Sequence, residues 1–284
     1  RATGPSTLYV SGIALAAKGD AAEASVALGR RDANTAAIAG GQSLLPMLSL
    51  RVALIDLLVD ISRLDDLKIV AETPDSLWLG ALTTHAAIED GKTPDIFGGL
   101  MRRIATQISY RAIRNHGTIG GSVALADPAA DWPCFLIALD ASVRIVGRNG
   151  VRMERIADFI QDSYATTLTT GDIIMGFDIP APKARLRWGF AKVARKSGAF
   201  AHSIALVTGQ GKHGPVSVVL GAAGPRPRVL TATANQLQIS ATSEEQLRAA
   251  IATDLDAHFA GLDAYQKRMH TANILRAARD MRIQ

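Results

Sequence analysis

The apolar positions of this chain change their period several times, and each change marks an element. Asp20 is a cap-type residue with Glu23 three places on, and apolar residues then recur at helical spacing, so a helix is expected over 20–30. A short apolar strand over 35–39, a Gly40-Gly41 turn, a helix start with an early proline at Pro46, and an apolar run over 54–61 compose a small βαβ unit. Strands over 67–71 and 77–81 flank Thr73-Pro74-Asp75-Ser76, whose turn chemistry predicts a hairpin. A helix follows over 97–109. The Asn149-Gly150 pair joins strands over 142–146 and 151–153 into a second hairpin. Pro180 and Pro182 break the pattern and set a boundary between residues 177 and 178. Beyond it lie strand-like stretches over 188–194, 203–208 and 216–220, a capping-box pattern at Ser243 and Gln246, and a helix over 263–282. The expected fold is α+β with a small N-terminal α/β lobe: a domain over 1–177, with lobes of 1–55 and 56–177, then a smaller domain over 178–284.

Two glycine-rich segments concentrate the position-specific residues. In Ile113-Arg114-Asn115-His116-Gly117-Thr118-Ile119-Gly120-Gly121-Ser122, three glycines lack a Cβ, so the backbone is expected to turn through positive φ and leave its amides free. Such amides form a nest for phosphate oxygens, with the Thr118 and Ser122 hydroxyls as further donors. Asp127 and Asp131 follow; each suits either the cap of a helix beginning at Pro133 or acceptance of hydrogen bonds from sugar or ribityl hydroxyls. The earlier segment, Ala39-Gly40-Gly41-Gln42-Ser43-Leu44-Leu45-Pro46, repeats the order of strand, glycine turn and helix start. A capped turn accounts for either segment alone, whereas two together also suit a clamp on a diphosphate. Neither contains the G-x-G-x-x-G fingerprint or the lysine of a P-loop, so a Rossmann domain and an NTPase are unsupported.

Together the two segments resemble the paired flavin-binding signatures in the FAD-binding (medium) subunits of molybdenum hydroxylases, the family of carbon monoxide dehydrogenase, xanthine dehydrogenase and quinoline oxidoreductase. Fainter echoes occur at Gly80-Ala81-Leu82-Thr83-Thr84-His85, at Leu168-Thr169-Thr170-Gly171-Asp172-Ile173-Ile174 and at Ala194-Arg195-Lys196-Ser197-Gly198-Ala199-Phe200-Ala201. The resemblance implies a two-lobed FAD-binding domain of the vanillyl-alcohol-oxidase (PCMH) type followed by a smaller α+β domain. It implies FAD in this chain, with Gly40, Gly41, Gln42, Ser43, Thr118, Gly120 and Gly121 around the diphosphate and Ala39, Leu44, Ile119 and Ser122 also among the cofactor-binding residues. It also implies Asp131 beside the ribityl and ribose hydroxyls, and Phe200 near the isoalloxazine. Two positions depart from the family pattern: Ser122 stands where asparagine is common, and Ala199 where an acid is common.

The implied activity is electron transfer within an oxidoreductase complex. A large partner subunit would carry the molybdenum cofactor, a small one two [2Fe–2S] clusters, and this chain would pass electrons to an external acceptor such as NAD, oxygen, a quinone or a carrier protein. No side chain here is expected to act catalytically. Two other readings remain: a stand-alone FAD-dependent reductase of the same superfamily, and an assembly subunit with a degenerate flavin site.

Composition narrows the field further. At 284 residues with 48% hydrophobic and 20% charged content, the chain suits a globular protein with a sizeable core. The net charge of +5 comes from scattered cations, and aromatics at 5% do not interleave with them, so nucleic-acid binding is not expected. No apolar run is long enough for a membrane span, and a cytoplasmic location is the default expectation. A single cysteine, Cys134, cannot ligate an iron–sulfur cluster, and the six histidines show no metal-site spacing, so no metal is expected in this chain. Lys192, Arg195 and Lys196 read as a solvated face.

Overall fold

The computed structural model describes residues 13–14, 19–30, 34–239 and 241–283. The N-terminal lobe is a three-stranded parallel sheet in which Leu57–Asp60 lies between Ile13–Ala14 and Thr35–Ile38. Helix Ala21–Leu28 packs against it through Ala21, Ala24 and Leu28, and Asp20 caps that helix by accepting from the amides of Ala22 and Glu23 at 3.0 Å each. Helix Leu44–Ser49 connects the parallel strands, completing the expected βαβ unit. The strand expected over 54–61 is shorter, because Leu54 is exposed and Asp56 accepts from the Asn34 amide at 2.9 Å instead of extending the strand.

A five-stranded antiparallel sheet follows, ordered Val70–Glu72, Ser76–Gly80, Ile173–Pro180, Ser142–Gly147 and Gly150–Arg155. Both expected hairpins are present in it. Strand Ile173–Pro180 occupies the centre, so residues 177 and 178 lie inside the sheet and the chain leaves it at Pro180. Against this sheet pack Phe97, Phe135 and Trp132, with ring centroids 5.6 and 5.7 Å apart in edge-on pairs.

One expected element is shortened. The helix expected over 97–109 is shorter, Leu100–Ala105, and a separate short helix, Arg111–Arg114, follows beyond its expected end. Gly98, Gly99 and Ser109 have φ of 60°, 83° and 43°, a left-handed conformation that no helix interior accommodates. Helix Asp131–Ala138 also starts earlier than Pro133. Pro133 sits in its first turn, where a missing N–H breaks no helical hydrogen bond.

The C-terminal sheet runs Leu186–Ala194, Ala201–Gln210, Val216–Gly221 and Arg228–Val229, each antiparallel to the next. It is buried on both faces. Along Ala201–Gln210, Ile204 and Leu206 join the core of the preceding sheet, while Ala205 and Val207 face the helices that close the chain. Those helices are Thr231–Gln238, Glu244–His258, which begins with the Ser243–Gln246 capping box, and Ala264–Ile283. Thr231–Gln238 has no cap of its own; Asp254 from the next helix accepts the amides of Ala232 and Thr233 at 3.1 and 2.7 Å.

Gly189 sets the distance between sheet and final helix. A Cβ there would stand 1.8 Å from the Ala277 carbonyl oxygen, a backbone atom that cannot rotate away. Gly189→Ala is expected to destabilise the protein by about 1–3 kcal/mol or more, read as a lower denaturation midpoint at unchanged slope.

Candidate functional site

A cavity of about 620 Å³ opens between the three layers. That size lies within the range of roughly 300–1,000 Å³ usual for small-molecule and cofactor sites. Both glycine segments line it, and so do residues from all three fainter echoes. Of the sequence-derived site residues, Ala39, Gly40, Gly41, Gln42, Ser43, Leu44, Thr118, Gly120, Gly121, Ser122, Asp131 and Phe200 line this cavity. Ile119 does not; it is fully buried in the main hydrophobic core.

The first segment behaves as its sequence suggests. Gly41 has φ of 69°, and no described residue accepts from the amides of Gly41, Gln42, Ser43 and Leu44. These are individual donors at the cavity wall. Helix Leu44–Ser49 is too short for a sizeable macrodipole, so the amides themselves are what the site offers an anion.

The second segment corrects its expectation. Gly117, Gly120 and Gly121 do not take positive φ, and residues Ile119–Leu125 form a short helix capped by Thr118. Its leading amides are not free. Ile119 donates to Thr83 O at 3.0 Å, Gly120 to Ala81 O at 2.9 Å, and Gly121 to Thr118 Oγ1 at 3.0 Å. Segments 81–85 and 117–120 are thereby zipped together, which explains why Gly80–His85 accompanies this signature. The glycines serve close approach: a Cβ on Gly120 would meet Ala81 at 2.6 Å, and one on Gly40 would stand 1.8 Å from His116 O. Bulk at Gly120 therefore strikes the wall rather than filling the cavity.

Asp131 also departs from the capping alternative. Ala130 holds the cap position without a side-chain bond, and Asp131 Oδ2 accepts from Lys192 Nζ at 2.8 Å in a pair that is almost wholly buried. Asp131 Oδ1 has no partner. Burial pushes this carboxyl up to about 6, against the pull of Lys192. Asp127 turns its Oδ1 onto the Ala129 amide at 2.8 Å and its Oδ2 toward the Tyr164 hydroxyl at 3.2 Å.

Lys192 corrects the solvated-face reading; Arg195 and Lys196 are exposed, as expected, but Lys192 points inward. The signal was strand parity. Phe190 and Lys192 share one face of Leu186–Ala194, and Phe190 belongs to the main core, whereas Ala191 belongs to the opposite one. Sequence reasoning also passed over His85, whose Nδ1 accepts from Trp132 Nε1 at 3.0 Å. Burial, with the neighbouring Arg114 guanidinium, lowers its imidazole to about 4. The 108–109 wall of the cavity is held by Arg114, which donates to Ile108 O and Ser109 O at 3.0 and 2.9 Å while pairing with Glu89 at 2.8 Å. Across from it, Gly198 (φ 77°) presses on Ser109 O, and the adjoining Phe200 is 72% exposed at the cavity rim.

These features suit FAD: a phosphate-sized set of free amides at one wall, a buried carboxylate oxygen without a donor, and an exposed aromatic at the rim. The described helices include none long and apolar enough to cross a membrane.

Comparison with known proteins places the architecture. A family model described as "FAD binding domain in molybdopterin dehydrogenase" matches residues 16–182. The nicotine 6-hydroxylase medium subunit of Paenarthrobacter nicotinovorans is 30% identical over 222 residues, 77% of this chain and 78% of that protein. The glyceraldehyde dehydrogenase medium chain of Sulfolobus acidocaldarius is 35% identical over 168 residues, and the match covers 59% of each protein. A structure of carbon monoxide dehydrogenase from Hydrogenophaga pseudoflava, lacking the Mo-pyranopterin moiety of its cofactor, superposes with a TM-score of 0.87 at 27% identity, over 94% of this chain and 96% of that one. With a family model spanning more than half its length and both glycine signatures lining one cavity, this chain belongs to the FAD-binding domain family of molybdopterin dehydrogenases.

Proposed function

We propose that the chain is the FAD-binding electron-transfer subunit of a heteromeric molybdenum-containing hydroxylase or dehydrogenase. In this reading it takes electrons from [2Fe–2S] clusters of a small partner subunit and passes them to an external acceptor, while a large partner subunit with the molybdenum cofactor oxidises the substrate. The FAD-binding domain, expected over 1–177, runs on to the end of the central strand at Pro180, and the residues beyond it form the domain that closes the cavity from the other side. The carrying observation is the convergence of both glycine segments, Asp131 and the 198–200 turn on a single cavity. When bound, FAD supplies the redox chemistry; the chain supplies position and electrostatics.

The roles follow from the geometry. The free amides of Gly41 to Leu44 bind the diphosphate, each as a charge-assisted donor. Thr118 holds the facing helix in place by taking the Gly121 amide, and Ser122 lines the cavity as a further donor. Asp131 accepts a ribityl or ribose hydroxyl at Oδ1, and Lys192 neutralises the carboxylate that this requires. Phe200, with Ala199 in place of an acid, leaves the rim near the isoalloxazine apolar.

The purified chain is expected to show a flavin absorption spectrum and release a molecule of FAD mass, with iron–sulfur absorbance only in its assembled complex. Colourless protein that cannot take up FAD would sink this reading and favour an assembly subunit. Flavin with reductase turnover in the absence of partners would favour a stand-alone enzyme.

Asp131 makes the binding pH-dependent. Hydroxyl donors favour the ionised carboxylate, so FAD affinity should rise as pH increases through about 6 and fall below it. Asp131→Asn should weaken FAD binding roughly tenfold or more and flatten that dependence, as read by fluorescence titration at several pH values. Because it also leaves Lys192 buried without its partner, the apoprotein should lose about 3–5 kcal/mol of stability. Lys192→Met should keep the acceptor but move the pH dependence upward, since the carboxyl then lacks its cation.

A further inference from the structure

His85 is a buried titratable residue to which the roles above give no task. It opens the short helix His85–Glu89, its backbone N–H donates to Gly117 O at 3.0 Å, and it lines the cavity where the two glycine segments meet. The junction is tight. A Cβ on Gly117 would stand 2.9 Å from His85 Nε2, just as one on Gly40 would strike His116 O.

Trp132 decides which ring nitrogen carries the proton. An indole N–H only donates, and Trp132 Nε1 lies 3.0 Å from His85 Nδ1, so Nδ1 is the bare, accepting nitrogen. The single imidazole proton then sits on Nε2. Taking a second proton would put two donors face to face and a charge in a buried site, which agrees with the lowered basicity of this ring. No described residue accepts from Nε2, yet that nitrogen is not among the side-chain atoms sealed from solvent without a partner. On a residue that lines the cavity, this leaves Nε2 as an N–H without a described acceptor.

The second glycine segment needs such a donor. Its leading amides are spent on Thr83 O, Ala81 O and Thr118 Oγ1, so that side of the diphosphate cleft offers few backbone donors of its own. We propose that His85 donates its Nε2 proton to the diphosphate of bound FAD, as an uncharged donor whose tautomer is fixed by Trp132. The proposal rests on the FAD-binding reading above. A neutral donor suits this place because it leaves no unpaired charge buried when the cofactor is absent.

The full-length chain, freed of flavin and labelled with ¹⁵N-histidine, tests both halves. Long-range ¹H–¹⁵N spectra should show His85 as the Nε2–H tautomer at neutral pH, with its Nε2 resonance shifting on FAD addition. His85→Leu should weaken FAD binding tenfold or more and move the ³¹P resonances of bound FAD. His85→Gln places an amide N–H near the Nε2 position and should restore most of the affinity. An Nδ1–H tautomer in the wild type would overturn the proposal, as would an unshifted Nε2 resonance on FAD binding. Wild-type affinity and unmoved ³¹P resonances in His85→Leu would do the same while leaving the FAD reading intact. If His85→Leu does not fold, the wild-type spectra and the Gln variant still decide it. Wild-type protein that binds no FAD at all would remove both readings together.

Discussion

The cavity exists because backbones approach one another where no Cβ fits. Gly40 rests on the carbonyl of His116, Gly120 on Ala81, and Gly198 on the carbonyl of Ser109, so three separate segments are held at main-chain contact distance around one space. Each contact also aligns a neighbour. The Gly120 approach lets segments 81–85 and 117–120 exchange backbone hydrogen bonds, and that pairing brings His85 under Gly117. Without these close contacts the layers would stand apart by at least a side-chain's width, and the amides of Gly41 to Leu44 would face open water rather than a bounded cleft.

Charge completes what the glycines begin. The Asp131 and Lys192 pair joins the first residue of a helix in the cofactor domain to a strand of the C-terminal sheet, across the cavity's depth. A buried pair of this kind adds little net stability but costs much to break, because either partner alone is an uncompensated charge. Here it leaves Asp131 Oδ1 without a partner beside the cavity, which is what the proposed role of holding an acceptor for the cofactor requires. Lys192 also donates to Gln107 O at 3.3 Å, and Trp132 and the rest of that helix are buried around the pair.

Much of this was legible in the chain before any coordinates. Strong local signals, such as Asp20 with its helix, the Thr73–Ser76 turn, Asn149-Gly150 and the Ser243–Gln246 box, produced elements where expected, since each depends on residues only a few positions apart. The glycine segments also converged on one cavity. What failed was conformation and partner choice. Glycine-rich sequence looked like a positive-φ nest at 117–121, but the constraint was steric contact with Ala81, a residue far away in sequence. Left-handed residues at Gly98, Gly99 and Ser109 kept the helix expected over 97–109 to a shorter span. Lys192 was misplaced because charge was weighed over strand parity, and His85 was passed over because a lone histidine carries no motif. In each case the deciding neighbour lies on another element.

The C-terminal sheet, buried on both faces, has a consequence for how the molecule comes apart. Ile204 and Leu206 belong to the same core as the cofactor-side sheet, while Ala205 and Val207 belong to the helical layer behind. A chain ending near Pro180 would leave one broad apolar surface of the cofactor-side layer facing water, and the remaining piece would expose the other. The two regions therefore share a single cooperative unit. Selection on the cofactor cavity and selection on the distant helical layer act through one folding equilibrium, so a change that loosens the final helix reaches the flavin site as altered occupancy rather than as altered chemistry.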